Sequence, residues 1–195
     1  SCNAALHHAN GQEILFSAAC YILVPSALLA MQRAAGGSDG VSLVVPMMKD
    51  ALGVDEVQRL PADPGASYRD ADGLHRFAER LSANRDTFFV SAVLDFCFLA
   101  QRQALLDIGG FSEEFHTTPF LMLDLCLRFW QMGRPRIAAC GAFAHRNEMA
   151  FPYSEQDEAT FIHKYGLKYP YSFLPRTDLL EMVDLQKPSL AVLEV

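Results

Sequence analysis

Hydrophobic positions along the chain form short compact runs that alternate with stretches of helical spacing. The compact runs are rich in β-branched and aromatic residues, which is typical of strands inside a sheet. We predict strands over residues 13–16, 21–24, 41–45, 88–100 and 136–144. The fourth run contains a single charge, Asp95, in otherwise apolar sequence.

Between these runs, apolar residues recur at the spacing of helices. We predict helices over residues 4–10, 25–35, 72–81, 102–108, 120–132 and 155–165. Pro25 suits the first turn of the second helix, and Phe161, Ile162 and Tyr165 form the expected inward side of the last one. Residues 47–69 contain prolines and glycines with little periodicity and predict a long loop. Strands that alternate with helices predict an α/β domain with a mixed sheet.

Composition and charge exclude several classes of protein. The chain has 195 residues, 51% of them hydrophobic, which suffices for one domain with a substantial core. The formal net charge of −7 argues against a nucleic-acid surface, because binding phosphates requires clustered Lys and Arg. No apolar run reaches the ~18 residues of a membrane span, and the N-terminus lacks the basic segment of a secretory signal. We therefore expect no transmembrane segment and no nucleic-acid partner.

The cysteines indicate the redox environment. There are five of them, an odd number. No two have the close spacing of a zinc site or a redox pair. Reduced, mostly buried thiols in a cytoplasmic protein are the expectation.

Two stretches carry an ordered series of motifs. The first has Asn3 in a small-residue helix, then a glycine, a strand and a proline that opens a helix, in the segments NAAL, ANGQEILF and VP. The second has a strand that contains Cys97, a Gly-Gly-Phe turn at residues 109–111, the helix segment DLCLR at residues 124–128, and finally His145. In this order, the motifs resemble those of family 2 glycosyltransferases, which have the GT-A fold.

The resemblance implies a GT-A domain over residues 1–170, with a mixed sheet flanked by helices, and a C-terminal tail over residues 171–195. The family's first strands, which carry most contacts to the nucleotide base, are expected to precede Ser1. The chain would then be the later half of such a domain, either a segment of a longer protein or a domain shortened in evolution. The resemblance also implies a cytoplasmic protein, either free or peripheral to the inner membrane.

Sugar transfer by this family needs two kinds of carboxylate. An Asp-x-Asp motif at a strand end holds Mn²⁺ or Mg²⁺, which neutralises the leaving diphosphate, and another carboxylate takes the proton of the acceptor hydroxyl. Here the Asp-x-Asp position is Ala18-Ala19-Cys20, and the Glu-Asp pair that includes the base is Leu121-Met122. The resemblance therefore implies no metal site as written, and a metal cofactor only if other residues complete one.

Five residues remain candidates for the site. Asp124 and Asp95 are the candidate catalytic residues, and the resemblance implies a donor or acceptor site for Glu113, His145 and Arg128. Most of them also have a structural alternative. Asp124 is either a relocated base or, four residues before Arg128 on a helix, half of a local ion pair. Asp95 is either an acid with a pKa raised by burial or a partner of loop backbone. His145 either faces a metal or diphosphate or is structural, and Glu113, on the Gly-Gly-Phe turn, is either solvated or touches the acceptor.

Three functions follow from the resemblance. The first is a catalytically degenerate glycosyltransferase-like domain, a pseudoenzyme that binds, scaffolds or regulates beside an active transferase. The second is an active, metal-independent hexosyltransferase that moves a sugar from a nucleotide sugar to a glycan or lipid-linked acceptor through Asp95, Asp124 and His145. The third is a glycan-binding module.

Overall fold

The structure of the chain, a computed structural model, describes residues 2–37, 41, 43–48, 71–83, 86–90, 93–134, 136–146 and 154–166. Its strands are β1 (Glu13–Ser17), β2 (Tyr21–Leu23), β3 (Leu43–Met48), β4 (Thr87–Phe89), β5 (Cys97–Gln101) and β6 (Arg136–Arg146). Its helices are α1 (Cys2–His8), α2 (Pro25–Gly36), α3 (Ala71–Ser82), α4 (Arg102–Asp107), α5 (Thr118–Gln131) and α6 (Glu155–Tyr165). The predicted tail and residues 49–69 of the predicted loop lie outside the described residues.

The strands form one mixed sheet in the order β1-β5-β3-β6-β2, and β4 also pairs with β6. β3 and β6 run parallel, whereas every other pair among the described strands is antiparallel. Along the β1–β5 pair, Glu13 lies opposite Gln101 and Ser17 opposite Cys97. The predicted α/β domain with a mixed sheet is confirmed.

Helices pack on both faces of this sheet. Side chains of β3 alternate between the faces, so that Leu43 and Val45 pack with the buried residues of α1, α4 and α5, while Val44 packs against α2. The first layer is filled by large side chains such as Phe98 and Phe129. The second is lined by the alanines of α2, whose small side chains let the helix approach the sheet closely.

A proline inside β3 coincides with a shift of register. Pairing with β6 runs from Leu43 opposite Arg136 to Pro46 opposite Ala139, then resumes with Met47 opposite Phe143. Because Pro46 has no N–H to donate, the ladder is expected to be irregular there. The predicted strand ended before the proline, but the observed strand continues to Met48 because pairing resumes beyond the shift.

Two predicted details are wrong. Residues 88–100 do not form one strand, since β4 ends at Phe89 and β5 begins at Cys97. Asp95 lies at a bend between them, where a buried carboxylate can reach side-chain donors. In α6, whose bounds match the prediction, Ile162 is 38% exposed. The inward position next to Phe161 is taken by the buried Asp157, one turn earlier.

Smaller differences concern the ends of two helices. α1 begins and ends two residues before its predicted bounds, and α5 begins at Thr118, with a proline in its first turn. Within the described ranges, no helix is both long and apolar enough to cross a membrane.

Candidate functional site

The structure places the candidate residues in two separate groups. Asp124 and Arg128 lie on α5, where Asp124 contacts the end of α6, and Glu113 lies near the Gly-Gly-Phe turn before α5. Asp95 lies beside β2 and β6, near the Ala18-Ala19-Cys20 turn. His145 is on β6, one residue from a partner of Asp95.

Asp124 is fully buried, and both of its oxygens are engaged. Arg128 donates from Nε to Oδ2 at 2.8 Å, and its Nη2 lies 2.6 Å from the same oxygen. The Tyr165 hydroxyl donates to Oδ1 at 2.6 Å, and Lys164 Nζ lies 3.0 Å from Oδ1. The predicted ion pair is confirmed, and two partners from α6 join it that the sequence did not indicate.

The partners from α6 have altered acidities. Burial raises the pKa of the Tyr165 hydroxyl, and its hydrogen bond to the Asp124 carboxylate raises it further. Burial lowers the pKa of Lys164, but hydrogen bonds to Glu114 and Asp124 outweigh this and raise it overall. Lys164 Nζ lies 2.6 Å from Glu114 Oε2, so the lysine joins a buried and an exposed carboxylate. Tyr165 therefore stays neutral and Lys164 charged at neutral pH.

Arg128 also fixes the Gly-Gly-Phe turn. Its Nη1 donates to the carbonyl oxygens of Ile108 at 2.8 Å and Gly110 at 2.6 Å. From the other side, Asn3 donates from Nδ2 to the Phe111 carbonyl and accepts the Phe111 N–H at Oδ1, both at 2.8 Å. The side chains of Asn3 and Arg128 thus hold adjacent residues of one turn. Motif residues far apart in the sequence form one connected structure.

A second buried carboxylate anchors the start of α6. Asp157 accepts the Thr117 N–H at 2.7 Å and the Thr117 hydroxyl at 2.6 Å, both at Oδ2. It also accepts the His116 N–H at 3.0 Å, and its own N–H is capped by Ser154 Oγ at 3.1 Å. Sequence reasoning missed Asp157, although a serine three residues before an acid is a signal of a helix start.

Asp95, also fully buried, is bound by two residues from paired strands. Tyr21 donates its hydroxyl to Oδ1 at 2.7 Å, and Arg146 Nη1 lies 2.8 Å from the same oxygen. Tyr21 and Arg146 lie opposite each other in the β2–β6 pair. Burial and the adjacent Asp95 charge raise the pKa of the Tyr21 hydroxyl. Asp95 thus contacts a side chain from each of the two paired strands.

The turn after β1 offers sulfur and methyl groups. Ala18 donates its N–H to the Phe96 carbonyl and accepts that of Tyr21 at 3.1 Å, which closes the turn. Cys20 packs in a small buried cluster with Tyr21, Met48 and Cys97. Burial raises the pKa of the Cys97 thiol to about 12. Both thiols are free, and neither offers the hard oxygen ligand that Mg²⁺ or Mn²⁺ prefers.

The two remaining candidates stand apart from the buried carboxylates. His145 is half-buried and lies opposite Ile22. Because side chains alternate along a strand, it points to the other face of the sheet from Arg146. Glu113 is exposed, and its Oε1 accepts a long hydrogen bond of 3.4 Å from Asn3. The structure therefore does not bring His145 together with Asp124 or Glu113.

No group of three or more His, Cys, Asp and Glu side chains that could hold a metal ion occurs in the described parts of the chain. A cavity of about 510 Å³ opens on α3, where Gly73, Arg76, Glu79 and Arg80 line it. None of the candidate residues contributes to this lining. In this arrangement, the contacts around Asp124 and around Asp95 hold secondary-structure elements together.

Comparisons with known proteins add no identification. No family model matches the chain, and no curated protein is significantly similar to it.

Proposed function

We propose that the chain is a family 2 glycosyltransferase-like domain that has lost sugar transfer and acts by binding or scaffolding. The proposal rests on the ordered motifs of the sequence and on the distribution of contacts among their residues. The mixed α/β sheet is compatible with it.

The retained motif residues support the proposal through their contacts with one another. Asn3 holds Phe111, Arg128 holds Gly110, and Asp124 holds Arg128. These residues make the frame of the domain. The positions where the resemblance places metal ligands and the base are instead Ala18, Ala19 and Cys20, and Leu121 and Met122. The residues that hold the domain together match the family's motifs, whereas the residues at the expected metal and base positions do not.

The observation that carries the proposal is the environment of Asp124. A general base needs a carboxylate oxygen within hydrogen-bond reach of the acceptor hydroxyl. Asp124 is 0% exposed, and Arg128, Lys164 and Tyr165 occupy its oxygens. An acceptor could reach it only after α6 moves away.

Calorimetric titration of the purified chain with UDP and GDP, with and without Mn²⁺, tests the proposal. We expect no metal-dependent heat, and no release of nucleotide when UDP-sugars or GDP-sugars are incubated with the protein. Binding of glycans on an array without any nucleotide requirement would fit the proposal and identify the ligand class.

Metal-dependent nucleotide binding at micromolar strength, or donor turnover that persists through purification, would overturn the proposal. In that case the variants Asp124→Asn and His145→Ala separate the roles. Loss of turnover in either, with the fold intact by circular dichroism, would assign that residue to the chemistry.

A further inference from the structure

The cavity on α3 has a basic lining. The lining that the structure describes consists of Gly73, Arg76, Glu79 and Arg80, which span about two turns of this helix. Arg76 and Arg80 are exposed and lie four residues apart, so their side chains leave the same face of α3. None of these residues belongs to the motifs that resemble a glycosyltransferase. The cavity is therefore independent of the proposed function.

The opposite side of α3 anchors the helix to the sheet. Leu74, Phe77 and Ala78 are buried and pack with Phe143 of β6. The rings of Phe77 and Phe143 meet edge to face, with centroids 4.9 Å apart. The guanidinium carbon of Arg80 lies 6.0 Å from the centroid of the Phe77 ring, within the range of a cation–π contact. The arginines thus extend from a helix whose position is fixed by packing.

The charges of the two arginines are not compensated by the described part of the chain. Neither Arg76 nor Arg80 forms an ion pair there. Glu79 is the one carboxylate in the described lining, and its Oε1 lies 3.1 Å from His75 Nε2. Like charges one helical turn apart destabilise a helix. An anion bound between the arginines would remove this repulsion.

A third arginine adds to the positive charge at the end of α3. Arg33 of α2 donates from Nη2 to the Ser82 carbonyl at 3.4 Å. The chain as a whole has a formal net charge of −7, and such a charge repels anions at long range. An anion that binds here is therefore held by local contacts and not by the overall field of the protein.

We propose that Arg76 and Arg80 bind the phosphate group of a small phosphorylated molecule in this cavity. A guanidinium donates paired hydrogen bonds to carboxylate or phosphate oxygens. One arginine satisfies the two oxygens of a carboxylate, whereas the three terminal oxygens of a phosphate ester can engage two arginines at once. The volume of about 510 Å³ lies in the range of small-molecule sites, so it has room for the rest of such a molecule.

Calorimetric titration with inorganic phosphate and with glycerol 3-phosphate tests the proposal, at constant ionic strength and without metal or nucleotide. We expect saturable binding with a dissociation constant below about 1 mM. Arg76→Gln and Arg80→Gln should each raise this constant at least ~10-fold, which corresponds to about 1.4 kcal/mol. Glu79→Gln should lower it, because a carboxylate that repels the phosphate is removed.

Arg134→Gln is the matched control. It removes the same charge from a surface ion pair with Asp107, outside the described lining, and should leave phosphate binding unchanged. Circular dichroism checks that each variant is folded. Absence of saturable binding by both probes overturns the proposal, as does an equal loss of binding in Arg134→Gln. Binding to vesicles that contain phosphatidic acid, without binding of glycerol 3-phosphate, would overturn the assignment to a small molecule.

Discussion

At the scale of single residues, Asp124 and Asp95, two of the fully buried aspartates, show how a charge can be kept inside a protein. A buried carboxylate is costly unless cations and hydrogen-bond donors compensate it. Arg128 and Arg146 supply the charge, and each arginine reaches its partner while remaining partly exposed to water. Tyr165 and Tyr21 supply one further donor each. The attraction of each carboxylate to its partners thus offsets the free energy lost when the carboxylate leaves water. Removal of one partner leaves that cost uncompensated.

Substitution of Asp124 by Asn should therefore destabilise the domain by about 3–5 kcal/mol, the usual cost of breaking a buried pair by removing one partner. Urea denaturation monitored by circular dichroism measures it. Asp107→Asn is the control, because Asp107 and Arg134 form an ion pair at the surface, with side chains 29% and 30% exposed. Exposed pairs contribute at most about 1 kcal/mol. Equal effects of the two substitutions would contradict the buried role of Asp124.

The two adjacent glycines of the motif turn provide a second test. Both have positive φ, 80° at Gly109 and 75° at Gly110, so alanine at either costs about 1–2 kcal/mol of backbone strain. A Cβ at Gly110 would lie 2.6 Å from Asn3 Oδ1, whereas one at Gly109 meets nothing within 4 Å. Gly110→Ala should thus be more destabilising than Gly109→Ala by at least ~1 kcal/mol, because Asn3 must give up its hydrogen bonds to Phe111. Similar melting temperatures for the two variants would show that Asn3 moves without cost.

At the scale of elements, α6 is docked at three levels. Asp157 holds its first turn to the start of α5, and Phe161 packs in the middle against Phe115 and Phe120. Lys164 and Tyr165 hold its last turn to Asp124. Helices depend on tertiary packing for most of their stability, so the polar contacts at the two ends decide where α6 lies on the domain.

Asp157→Ala should release α6 locally, because it leaves the N–H groups of His116 and Thr117 without their acceptor. We expect amide exchange of residues 155–165 to accelerate at least ~10-fold, while β5 exchanges as before. Glu155→Ala, an exposed acid in the same helical turn, is the control and should have a small effect. Uniform acceleration across the chain would mean that α6 unfolds only together with the domain.

The Glu114–Lys164 contact makes the docking of α6 dependent on pH. Lys164 lowers the pKa of Glu114 by its hydrogen bond and charge. A carboxyl with a lowered pKa stabilises the fold above its unfolded pKa of about 4.3, and this contribution disappears as the pH falls through the folded value. The pKa of Lys164 is raised in the folded protein. Its contribution to stability is therefore fully present below its unfolded pKa of about 10.4, and it is lost only as the pH rises through the higher folded value.

The difference in melting temperature between wild type and Glu114→Gln should accordingly stay constant between about pH 5 and 10 and shrink toward zero below about pH 4. Because the Glu114 side chain is exposed, added salt should reduce this difference throughout. Glu113→Gln, one residue away and without a lysine partner among the described contacts, should show no such profile. A Glu114→Gln difference that persists at pH 2 would contradict the ion pair.

At the scale of the whole molecule, periodicity predicted most elements of the fold. α6 has its predicted bounds, and Pro25 begins α2 as its fixed φ favours. The errors fell where a single residue overrode the local pattern. The run over residues 88–100, predicted as one strand, is interrupted at Asp95. The strand predicted to end before Pro46 instead continues past it. Local propensity describes neighbours along the chain, and these two positions are decided by partners across the sheet.

The candidate site was less predictable for the same reason. The Asp124–Arg128 pair follows from helical spacing alone. The contacts of Tyr165 with Asp124 and of Arg146 with Asp95 join residues 41 and 51 positions apart, and nothing local in the sequence indicates them. They depend on which elements become neighbours, which is a property of the assembled sheet.

The order of the strands has a consequence for how the chain could be divided. Among the described strands, none pairs with the next one along the chain, and every pair except β4–β6 joins one of β1 to β3 with a strand after Ala71. If the polypeptide were expressed as two pieces separated between these residues, the first piece would hold β1, β2 and β3 without any of their partners. Neither half could build the sheet by itself. Mixing them would restore the fold only through association, so the domain is suited to use as a split reporter.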